Sequence, residues 1–272
     1  MDYYIKNKDL ILKKEDLCLL ETLDCGQAFR WISCDCNQSY QGFMLDKPLK
    51  VSENADSIVF HNVTEDEFLN VWADYFDLYT DYGEIKRRFS EDATLKKACD
   101  FAGGIRLLRQ DKWEALCSFI ISQNNNIPRI KGIISRLCES FGEKTEYGFT
   151  FPFANKLSEH ECCDLSPIRA GFRARYILDA SKKVSSGEIN LDTISKLPLD
   201  TARNELMKIC GVGVKVADCA MLYGMHRLEF FPVDVWIKRV LEEYYPNGLP
   251  DCIRGYEGIA QQYLFHYIRN IK

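Results

Sequence analysis

A lysine and an aspartate in the last quarter of the chain have the residue types that covalent chemistry needs. Lys215 closely follows two glycines, Gly211 and Gly213, whose spacing permits a tight turn with backbone angles that other residues resist. A helix is predicted to begin at Val214. Because the positive end of its dipole disfavours a lysine cation, the neutral and nucleophilic amine of Lys215 is favoured there.

The aspartate, Asp234, lies 19 residues beyond the lysine, inside the apolar stretch Phe230–Trp236 and just after Pro232. It can cap a helix that begins at Val235, and it can also serve chemistry, because a capping carboxylate is held ionised and immobile. An amine that attacks a sugar carbon, beside a carboxylate that stabilises charge on the sugar, is the pairing needed for base excision with strand cleavage. A solvated lysine and a simple helix cap remain the alternatives.

The elements that must position these residues fall into two classes along the chain. Residues 1–80 are mostly β-rich, with strands predicted at Phe29–Ile32 and Ser57–Val63. Helical periodicity begins after Thr64, a good N-cap residue with Glu67 at the capping-box position. We therefore predict an α+β fold, with an N-terminal antiparallel β-sheet domain over residues 1–90 and a mostly α-helical region over residues 91–272.

Within the helical region, one buried helix face is predicted from apolar residues at three- and four-residue spacing: Trp113, Leu116, Cys117, Ile120 and Ile121. The polar run 123–126 ends that helix, and Pro128 suits the first turn of the next one. A short helix over Thr201–Ile209, capped by Asp200 or Thr201, precedes the glycines. Helix, glycine turn and helix together predict a helix–hairpin–helix at about residues 201–224, whose backbone N–H groups can bind a phosphate.

The charge of the chain is unevenly distributed. The formal net charge of −5 argues against a nucleic-acid ligand, but residues 1–100 hold 20 acidic and 12 basic residues, whereas the rest holds 20 acidic and 23 basic residues. A local excess of basic residues over 105–140 could bind a polyanion or simply form a solvated helix face. We expect backbone N–H groups and a few arginines to provide the contacts to such a ligand.

The composition excludes several other classes of protein. No apolar run approaches the length of about 18 residues that a membrane span needs, and the N-terminus lacks the layout of a secretion signal. The twelve cysteines are therefore expected to be reduced thiols. No C-x2-C pair is present, so the spacing does not favour a zinc or iron–sulfur site.

Five motifs in order along the chain resemble the 8-oxoguanine DNA glycosylase/AP lyase family of the helix–hairpin–helix superfamily. The motifs, together with Pro232-Val233-Asp234, are Cys25-Gly26-Gln27-Ala28-Phe29-Arg30-Trp31, Gly104–Asp111, Ser122–Ile130, Gly171–Tyr176 and Gly211–Cys219. The resemblance implies a bifunctional enzyme that flips 8-oxoguanine out of the duplex, preferably opposite cytosine, excises it through a lysine Schiff base and cleaves the strand by β-elimination.

The resemblance also assigns roles to individual residues. Lys215 is implied as the nucleophile and Asp234 as the catalytic carboxylate. The base pocket is implied to consist of the Gly26 carbonyl, which accepts the N7–H that guanine lacks, and of Cys219, Pro232, Gln261 and Phe265. The implied DNA contacts are Asn124, Arg129 and Arg173 around the opposite cytosine, Phe172 as a wedge in the base stack, and Gly211, Gly213 and Trp236.

No cofactor is implied as required, and an iron–sulfur cluster is not expected. A structural monovalent cation is implied at the hairpin, on the backbone carbonyls of Met207, Ile209 and Val212. The expected partner is double-stranded DNA containing 8-oxoguanine, with no membrane and with the protein a monomer. The expected location is intracellular, in the cytoplasm or nucleoid of a prokaryote or the nucleus of a eukaryote.

The chain departs from the family pattern at three places. Trp236 replaces a histidine that is usual in animal members, Phe172 replaces a common tyrosine, and Cys210 replaces the usual proline at the hairpin entrance. Two alternatives stay open at this point. One is a glycosylase of the same fold with another lesion specificity, and the other is a DNA-binding module without catalysis.

Overall fold

The computed structural model describes residues 1–35 and 38–271, which form two compact units. The first unit comprises Met1–Gln41, Leu49–Arg109 and Leu228–Lys272, and the second comprises Gly42–Pro48 and Gln110–Arg227. Each unit is therefore assembled from segments that are separated in sequence. The division into domains at residues 1–90 and 91–272 stays a prediction.

The predicted N-terminal antiparallel sheet is confirmed. Its strands lie in the order β1-β2-β6-β5-β4-β3, and each pair with a described register is antiparallel. The strands are β1 Tyr3–Lys6, β2 Asp9–Lys13, β3 Ile32–Cys34, β4 Ser39–Met44, β5 Lys47–Glu53 and β6 Ser57–Phe60. A short hairpin of β7 Lys144–Thr145 and β8 Gly148–Phe149 forms a second sheet.

The strand predicted at Phe29–Ile32 is wrong for most of its length, since β3 begins only at Ile32. The preceding residues enter the core as a buried loop. The indole N–H of Trp31 donates to the Tyr75 hydroxyl at 2.8 Å, and the Trp31 ring packs on Phe76. A β-rich composition indicated burial here correctly, but burial does not require a strand.

The helix predicted after Thr64 is confirmed, and the Thr64 side chain accepts the N–H of Glu67 at 3.2 Å. The Glu67 carboxylate, however, accepts the indole N–H of Trp72 at 3.0 Å. This segment packs aromatic rings against the sheet, with the rings of Phe60 and Phe68 5.0 Å apart. Burial of these large rings stabilises the first unit around one face of the sheet.

The remaining structure is almost entirely helical. The α-helices are α1 Leu19–Leu23, α2 Glu65–Glu67, α3 Ala73–Tyr75, α4 Tyr82–Phe89, α5 Ala93–Phe101, α6 Lys112–Ser122, α7 Ile127–Phe141, α8 Ala154–Ser158, α9 Arg173–Ser186, α10 Leu191–Ile194, α11 Leu199–Leu206, α12 Val214–Cys219, α13 Val235–Tyr244 and α14 Glu257–Ile271. Single turns of 3-10 helix occupy Ser166–Ile168 and Asp251–Ile253, and π-helical turns occupy Phe68–Trp72 and Ala220–Gly224. Among the described residues, no helix has both the length and the apolar character needed to cross a membrane.

The second unit is built around α6, whose predicted buried face is confirmed. Residues on other faces of α6 are buried too, because α7, α9, α12 and the turn Ala220–Gly224 all pack against it. The next helix begins as predicted, with Pro128 in its first turn and the Asn126 side chain accepting the N–H of Arg129 at 3.0 Å. The cap predicted for α11 is wrong, since Asp200 and Thr201 lie inside its first turn and Pro198 is the N-cap residue.

A glycine makes the close contact between α6 and the end of the hairpin's second helix. A Cβ atom at Gly224 would lie 2.8 Å from the Ala115 Cβ and 3.2 Å from the Lys112 Cα. By contrast, a Cβ atom at Gly132 in α7 would meet only the end of the Arg136 side chain, at 3.3 Å. The two glycines therefore differ in steric surroundings although both lie in helices.

We expect Gly224→Ala to lower the free energy of unfolding by about 1–3 kcal/mol, because α6 and the turn must separate to admit the methyl group. Gly132→Ala is the matched control. It should raise the free energy of unfolding by about 0.5–1 kcal/mol, because alanine favours a helix where the methyl group has room. Urea denaturation of both variants measures the difference, and equal effects would contradict the close contact at Gly224.

Candidate active site

The predicted helix–hairpin–helix is confirmed, with α11 and α12 joined by a glycine turn. Gly211 has a φ of +77°, and a Cβ atom there would lie 2.4 Å from the Tyr176 ring, so both conformation and space require glycine. The Val212 N–H closes the turn on the Ile209 carbonyl at 3.0 Å. Gly213 is the N-cap residue of α12 and has no side chain to cap the N–H groups of its first turn.

A part-buried ion pair holds the two hairpin helices together. The guanidinium of Arg203 on α11 donates from Nε to the Asp218 carboxylate on α12 at 2.7 Å. Burial raises the pKa of Asp218, although the arginine opposes this shift. The sequence analysis did not identify this pair. The only signal for it was that the two predicted helices carry residues of opposite charge.

At the hairpin entrance, the residue that replaces the usual proline has an N–H group that needs a partner. The Cys210 N–H donates to the Asp179 carboxylate at 2.6 Å. Lys183 pairs with the same carboxylate at 3.1 Å and donates to the Lys208 carbonyl at 2.6 Å. Two side chains of α9 thus anchor the entrance that proline would otherwise stiffen.

Lys215 is the second residue of α12 and is half-buried. Its Nζ lies 5.5 Å from the centre of the Phe119 ring, which stacks on Tyr223 with ring centres 4.9 Å apart. Cys219 lies four residues further along α12, on the same helix face, and is 2% exposed. The second unit therefore presents an amine over an aromatic surface, with a buried thiol one turn away.

The predicted DNA-contact residues of the second unit cluster at the turn between α6 and α7. Asn124 is exposed, with a φ of +46°, and Arg129 is exposed in the first turn of α7. Arg173 is 2% exposed, and its guanidinium donates to the carbonyls of Gln123 and Asn124 and to that of Ala170 at 3.1 Å. Burial and the neighbouring Arg129 lower the pKa of Arg173.

Phe172 is the residue before α9 and is 49% exposed, which leaves about half of the residue available to a ligand. The Arg173 guanidinium lies 4.4 Å from the centre of that ring. Arg173 therefore organises both the Asn124 turn and the Phe172 ring. The sequence analysis treated Arg173 only as a DNA contact, whereas the structure shows that it also positions two other residues.

The local basic excess over 105–140 is a weak basis for anion binding in this structure. Arg106 is 5% exposed and donates to the Asp77 carbonyl at 2.7 Å, and Arg109 pairs with the Asp77 carboxylate at 2.9 Å. Lys112 pairs with Asp192, and Arg136 donates to the Ile168 carbonyl at 3.1 Å. Most of these charges have protein partners, so the excess predicted from composition is largely engaged within the protein.

Asp234 is the N-cap residue of α13, as predicted. Its carboxylate accepts the N–H groups of Trp236 at 3.0 Å and Ile237 at 2.8 Å. Pro232 is buried just before it, and the Trp236 ring lies 5.0 Å from the Arg239 guanidinium. The carboxylate is thus held in place by its own helix, in the first unit, whereas the lysine belongs to the second unit.

Gly26 lies in a loop with a φ of +90°, a conformation that favours glycine. The next residue, Gln27, is fully buried and donates to the carbonyls of Thr22 at 2.9 Å and Arg106 at 2.8 Å. Its amide oxygen accepts the Leu108 N–H at 2.9 Å. Cys25, on the other side of the glycine, is fully buried, and burial raises the pKa of its thiol to about 12, so the group stays neutral.

Helix α14 brings the remaining predicted pocket residues to the first unit. Gln261 is 4% exposed and donates to the Pro232 carbonyl at 3.2 Å. Phe265 lies one turn further and is half-buried, with the Arg269 guanidinium 5.9 Å from its ring centre. Gln262 donates to the Cys25 carbonyl at 3.3 Å. The sequence analysis assigned no role to Gln27 or Gln262. The only signal for them was a polar residue inside an otherwise apolar stretch.

Metal binding has no support from the acidic, histidine or cysteine side chains of residues 1–35 and 38–271. No group of three or more of them is placed to hold a metal ion in that part of the chain. The cysteines described there carry free thiols.

Two family models together match most of the chain. Residues 9–116 match the 8-oxoguanine DNA glycosylase N-terminal domain, and residues 117–249 match the HhH-GPD superfamily base excision DNA repair protein model. The second match contains the hairpin, Lys215 and Asp234.

Several relatives resemble most or all of the chain. The N-glycosylase/DNA lyase of Saccharomyces cerevisiae is 32% identical over 87% of this chain and 70% of its own length. The N-glycosylase/DNA lyase of Arabidopsis thaliana is 29% identical over 89% of this chain and 69% of its own length. The crystal structure of the 8-oxoguanine glycosylase/lyase of Clostridium acetobutylicum, solved with double-stranded DNA containing cytosine opposite 8-oxoguanine, superposes with a TM-score of 0.91. It is 42% identical and covers 100% of this chain and 99% of that one.

The cap at Asp234 supplies a stability test that is independent of chemistry. We expect Asp234→Ala to lower the free energy of unfolding by about 1 kcal/mol, because two N–H groups of α13 lose their acceptor. Asp234→Asn should change it by less than about 0.5 kcal/mol, because asparagine is an equally good N-cap residue. Thermal or urea denaturation measures both, and an asparagine variant as unstable as the alanine variant would contradict a capping role.

Proposed function

The chain belongs to the 8-oxoguanine DNA glycosylase/AP lyase family, and from this premise we propose that it excises 8-oxoguanine from double-stranded DNA and then cleaves the strand. The single observation that carries the proposal is Lys215 at the second position of α12, directly after the hairpin turn. A half-buried amine beside a helix N-terminus has the surroundings of a nucleophile.

Lys215 acts by covalent catalysis. Its neutral amine attacks C1′ of the damaged nucleotide, the bond from C1′ to the base nitrogen breaks, and the base leaves with the bonding electrons and takes up a proton. Opening of the sugar ring gives a Schiff base between Nζ and C1′. Loss of a C2′ proton then expels the 3′ phosphate by β-elimination, and water releases the lysine.

Asp234 stabilises the positive charge that develops on the sugar as the base departs. Its support is the cap of α13, in which two N–H groups fix the direction of the carboxylate. An immobile charge requires no reorganisation during the reaction. Capping and catalysis are therefore compatible roles for the one side chain.

The carbonyl of Gly26 distinguishes 8-oxoguanine from guanine by accepting the N7–H that only the oxidised base carries. Guanine would place an N7 lone pair against that carbonyl and leave two buried acceptors unpaired, which costs about 1–3 kcal/mol for each unsatisfied group. The rest of the base pocket is assigned to Cys219 and Phe265, which contact the two faces of the flipped base, and to Gln261 and Pro232 at its edge. Support comes from the burial of Cys219, Gln261 and Pro232.

Phe172 and the turn around Asn124 contact the DNA from which the base is removed. Asn124 and Arg129 contact the cytosine opposite the lesion, Arg173 supports them from behind the turn, and the exposed ring of Phe172 fills the stack that the flipped base leaves. The Clostridium acetobutylicum complex holds DNA with cytosine opposite the lesion, so a relative of this chain accepts that pair. Since Arg173 binds protein carbonyls, its part is mainly to set the Asn124 turn.

The hairpin binds a DNA phosphate through the N–H groups near Gly211 and Gly213, and Trp236 contacts the backbone near the lesion. The carbonyls of Met207, Ile209 and Val212 suit a monovalent cation, because they are neutral oxygens on one tight turn. The Ile209 carbonyl already accepts the Val212 N–H and keeps a second lone pair. A cation held there would offset phosphate charge.

No further cofactor is needed for this chemistry, and no iron–sulfur cluster is proposed. The protein acts as a monomer on double-stranded DNA. It works wherever the genome lies, which is the nucleoid of a prokaryote or the nucleus of a eukaryote.

Borohydride trapping tests the nucleophile. We expect the parent protein to form a covalent adduct with a duplex that contains 8-oxoguanine, because the reducing agent converts the Schiff base to a stable amine. Lys215→Gln should abolish the adduct. Lys208→Gln is the matched control, since Lys208 is an exposed lysine of the same hairpin that pairs with Glu205 at 2.7 Å.

Asp234→Asn completes the experiment, because it keeps the cap and removes only the charge. It should slow single-turnover excision by about 100-fold or more while duplex affinity changes little. No adduct from the parent protein would refute the proposed function and favour a DNA-binding module without catalysis.

Arg129→Ala tests the opposite-base preference. We expect the rates of excision opposite cytosine and opposite the other three bases to converge, because a guanidinium carries donors only and cytosine alone among the four bases has two adjacent acceptors, N3 and O2, on its pairing edge. Lys131→Ala removes the same charge from the same helix and serves as control. Single-turnover rates with each of the four opposite bases are the measurement, and unchanged ratios would show that Arg129 does not contact the opposite base.

A further inference from the structure

Two consecutive glutamines of α14 hold two different loops of the first unit. Gln261 donates from Nε2 to the Pro232 carbonyl at 3.2 Å, and Gln262 donates from Nε2 to the Cys25 carbonyl at 3.3 Å. Successive residues of a helix point about 100° apart, so the two side chains reach different sides of the same rigid element. One helix thus anchors the loop of Asp234 and the loop of Gly26.

The Gln262 hydrogen bond fixes the peptide group that precedes Gly26. The direction of the Gly26 carbonyl depends on where that peptide group lies and on the two backbone torsions of the glycine. Gln27 fixes the other side, since its buried amide is bonded to the Thr22 and Arg106 carbonyls and to the Leu108 N–H. With both flanking groups held, the glycine torsions and the direction of its carbonyl are determined.

Glycine makes this restraint necessary. A residue without a Cβ atom populates positive and negative φ about equally, so the observed φ of +90° is not maintained by the residue itself. The thiol of Cys25 does not take over the restraint that Gln262 places on the backbone. Its Sγ is already hydrogen-bonded to the Thr22 carbonyl at 3.2 Å and to the Gln27 amide at 3.3 Å. Gln262 is 1% exposed, so its bond to the Cys25 carbonyl is shielded from competing water.

We propose that Gln262 is a positioning residue for lesion recognition, which aims the Gly26 carbonyl at the N7–H of 8-oxoguanine by holding the Cys25–Gly26 peptide on α14. This inference rests on the proposed function. Gln262 is proposed to contact neither the base nor the reacting sugar. It acts through the backbone of Gly26. Discrimination between bases should therefore depend on it more than DNA affinity does.

The test measures binding in the Lys215→Gln background, where the base stays attached. Three duplexes are compared, with 8-oxoguanine, guanine or a tetrahydrofuran abasic analogue opposite cytosine. Gln262→Met removes the donor while nearly preserving side-chain volume, and it should reduce the preference for 8-oxoguanine over guanine about five- to tenfold. Affinity for the tetrahydrofuran duplex, which has no base to recognise, should change less than about twofold because no contact to the DNA backbone is removed.

Asn270→Ala is the control, because it removes a side-chain bond to the His266 carbonyl from the same helix at an exposed position. Gln262→Glu places a carboxylate against the Cys25 carbonyl and should lose more discrimination than the methionine variant. Gln262→Asn keeps the amide but is one methylene shorter, and it serves if the methionine variant does not fold.

An unchanged preference in a folded variant would overturn the inference. Equal losses of affinity for all three duplexes would also overturn it, since they would make Gln262 a packing residue only. Borohydride trapping of the parent protein separates this failure from that of the proposed function. A parent that traps 8-oxoguanine DNA keeps its assigned activity whatever the Gln262 variants show.

Discussion

Buried side-chain donors that bind backbone carbonyls hold the turns from which the candidate site is built. Gln27 joins the loop of Gly26 to the segment around Arg106, and Arg173 fixes the turn at Asn124. A buried polar group that loses its partner costs about 1–3 kcal/mol, so each of these side chains constrains the backbone it binds. The recognition groups that we propose in the backbone, the Gly26 carbonyl and the hairpin N–H groups, have no rotamer of their own and depend on such constraints.

This arrangement explains how a chain with a net charge of −5 can belong to a DNA-repair family. Several of its basic residues, including Arg106, Arg109 and Arg203, are paired with groups of the protein and stabilise the fold. Affinity for DNA can then come from oriented N–H groups at a helix end, which bind phosphate without a formal charge.

Much of the fold and many of the site residues could be predicted from the sequence because they follow local rules. Periodicity identified the buried face of α6, cap chemistry identified Thr64 and Asp234, and Pro128 identified the first turn of α7. Ordered motifs identified Lys215 and the family. The errors arose where a local rule competed with burial, as at Phe29–Trp31, which enters the core as a loop, and at α11, which begins at Leu199 after Pro198.

The sequence by itself determined the family, the succession of sheet and helices, and the identities of the lysine and the aspartate, because hydrophobic period, capping and glycine turns act over a few residues. Only the tertiary structure decided which buried polar groups meet. Gln262 and Cys25 are 237 positions apart along the chain, and no local pattern indicates that their side chain and carbonyl form a bond. The same holds for the return of Leu228–Lys272 to the first unit. Such pairings depend on the packing of distant segments, and the requirement that each buried polar group find a partner then selects them.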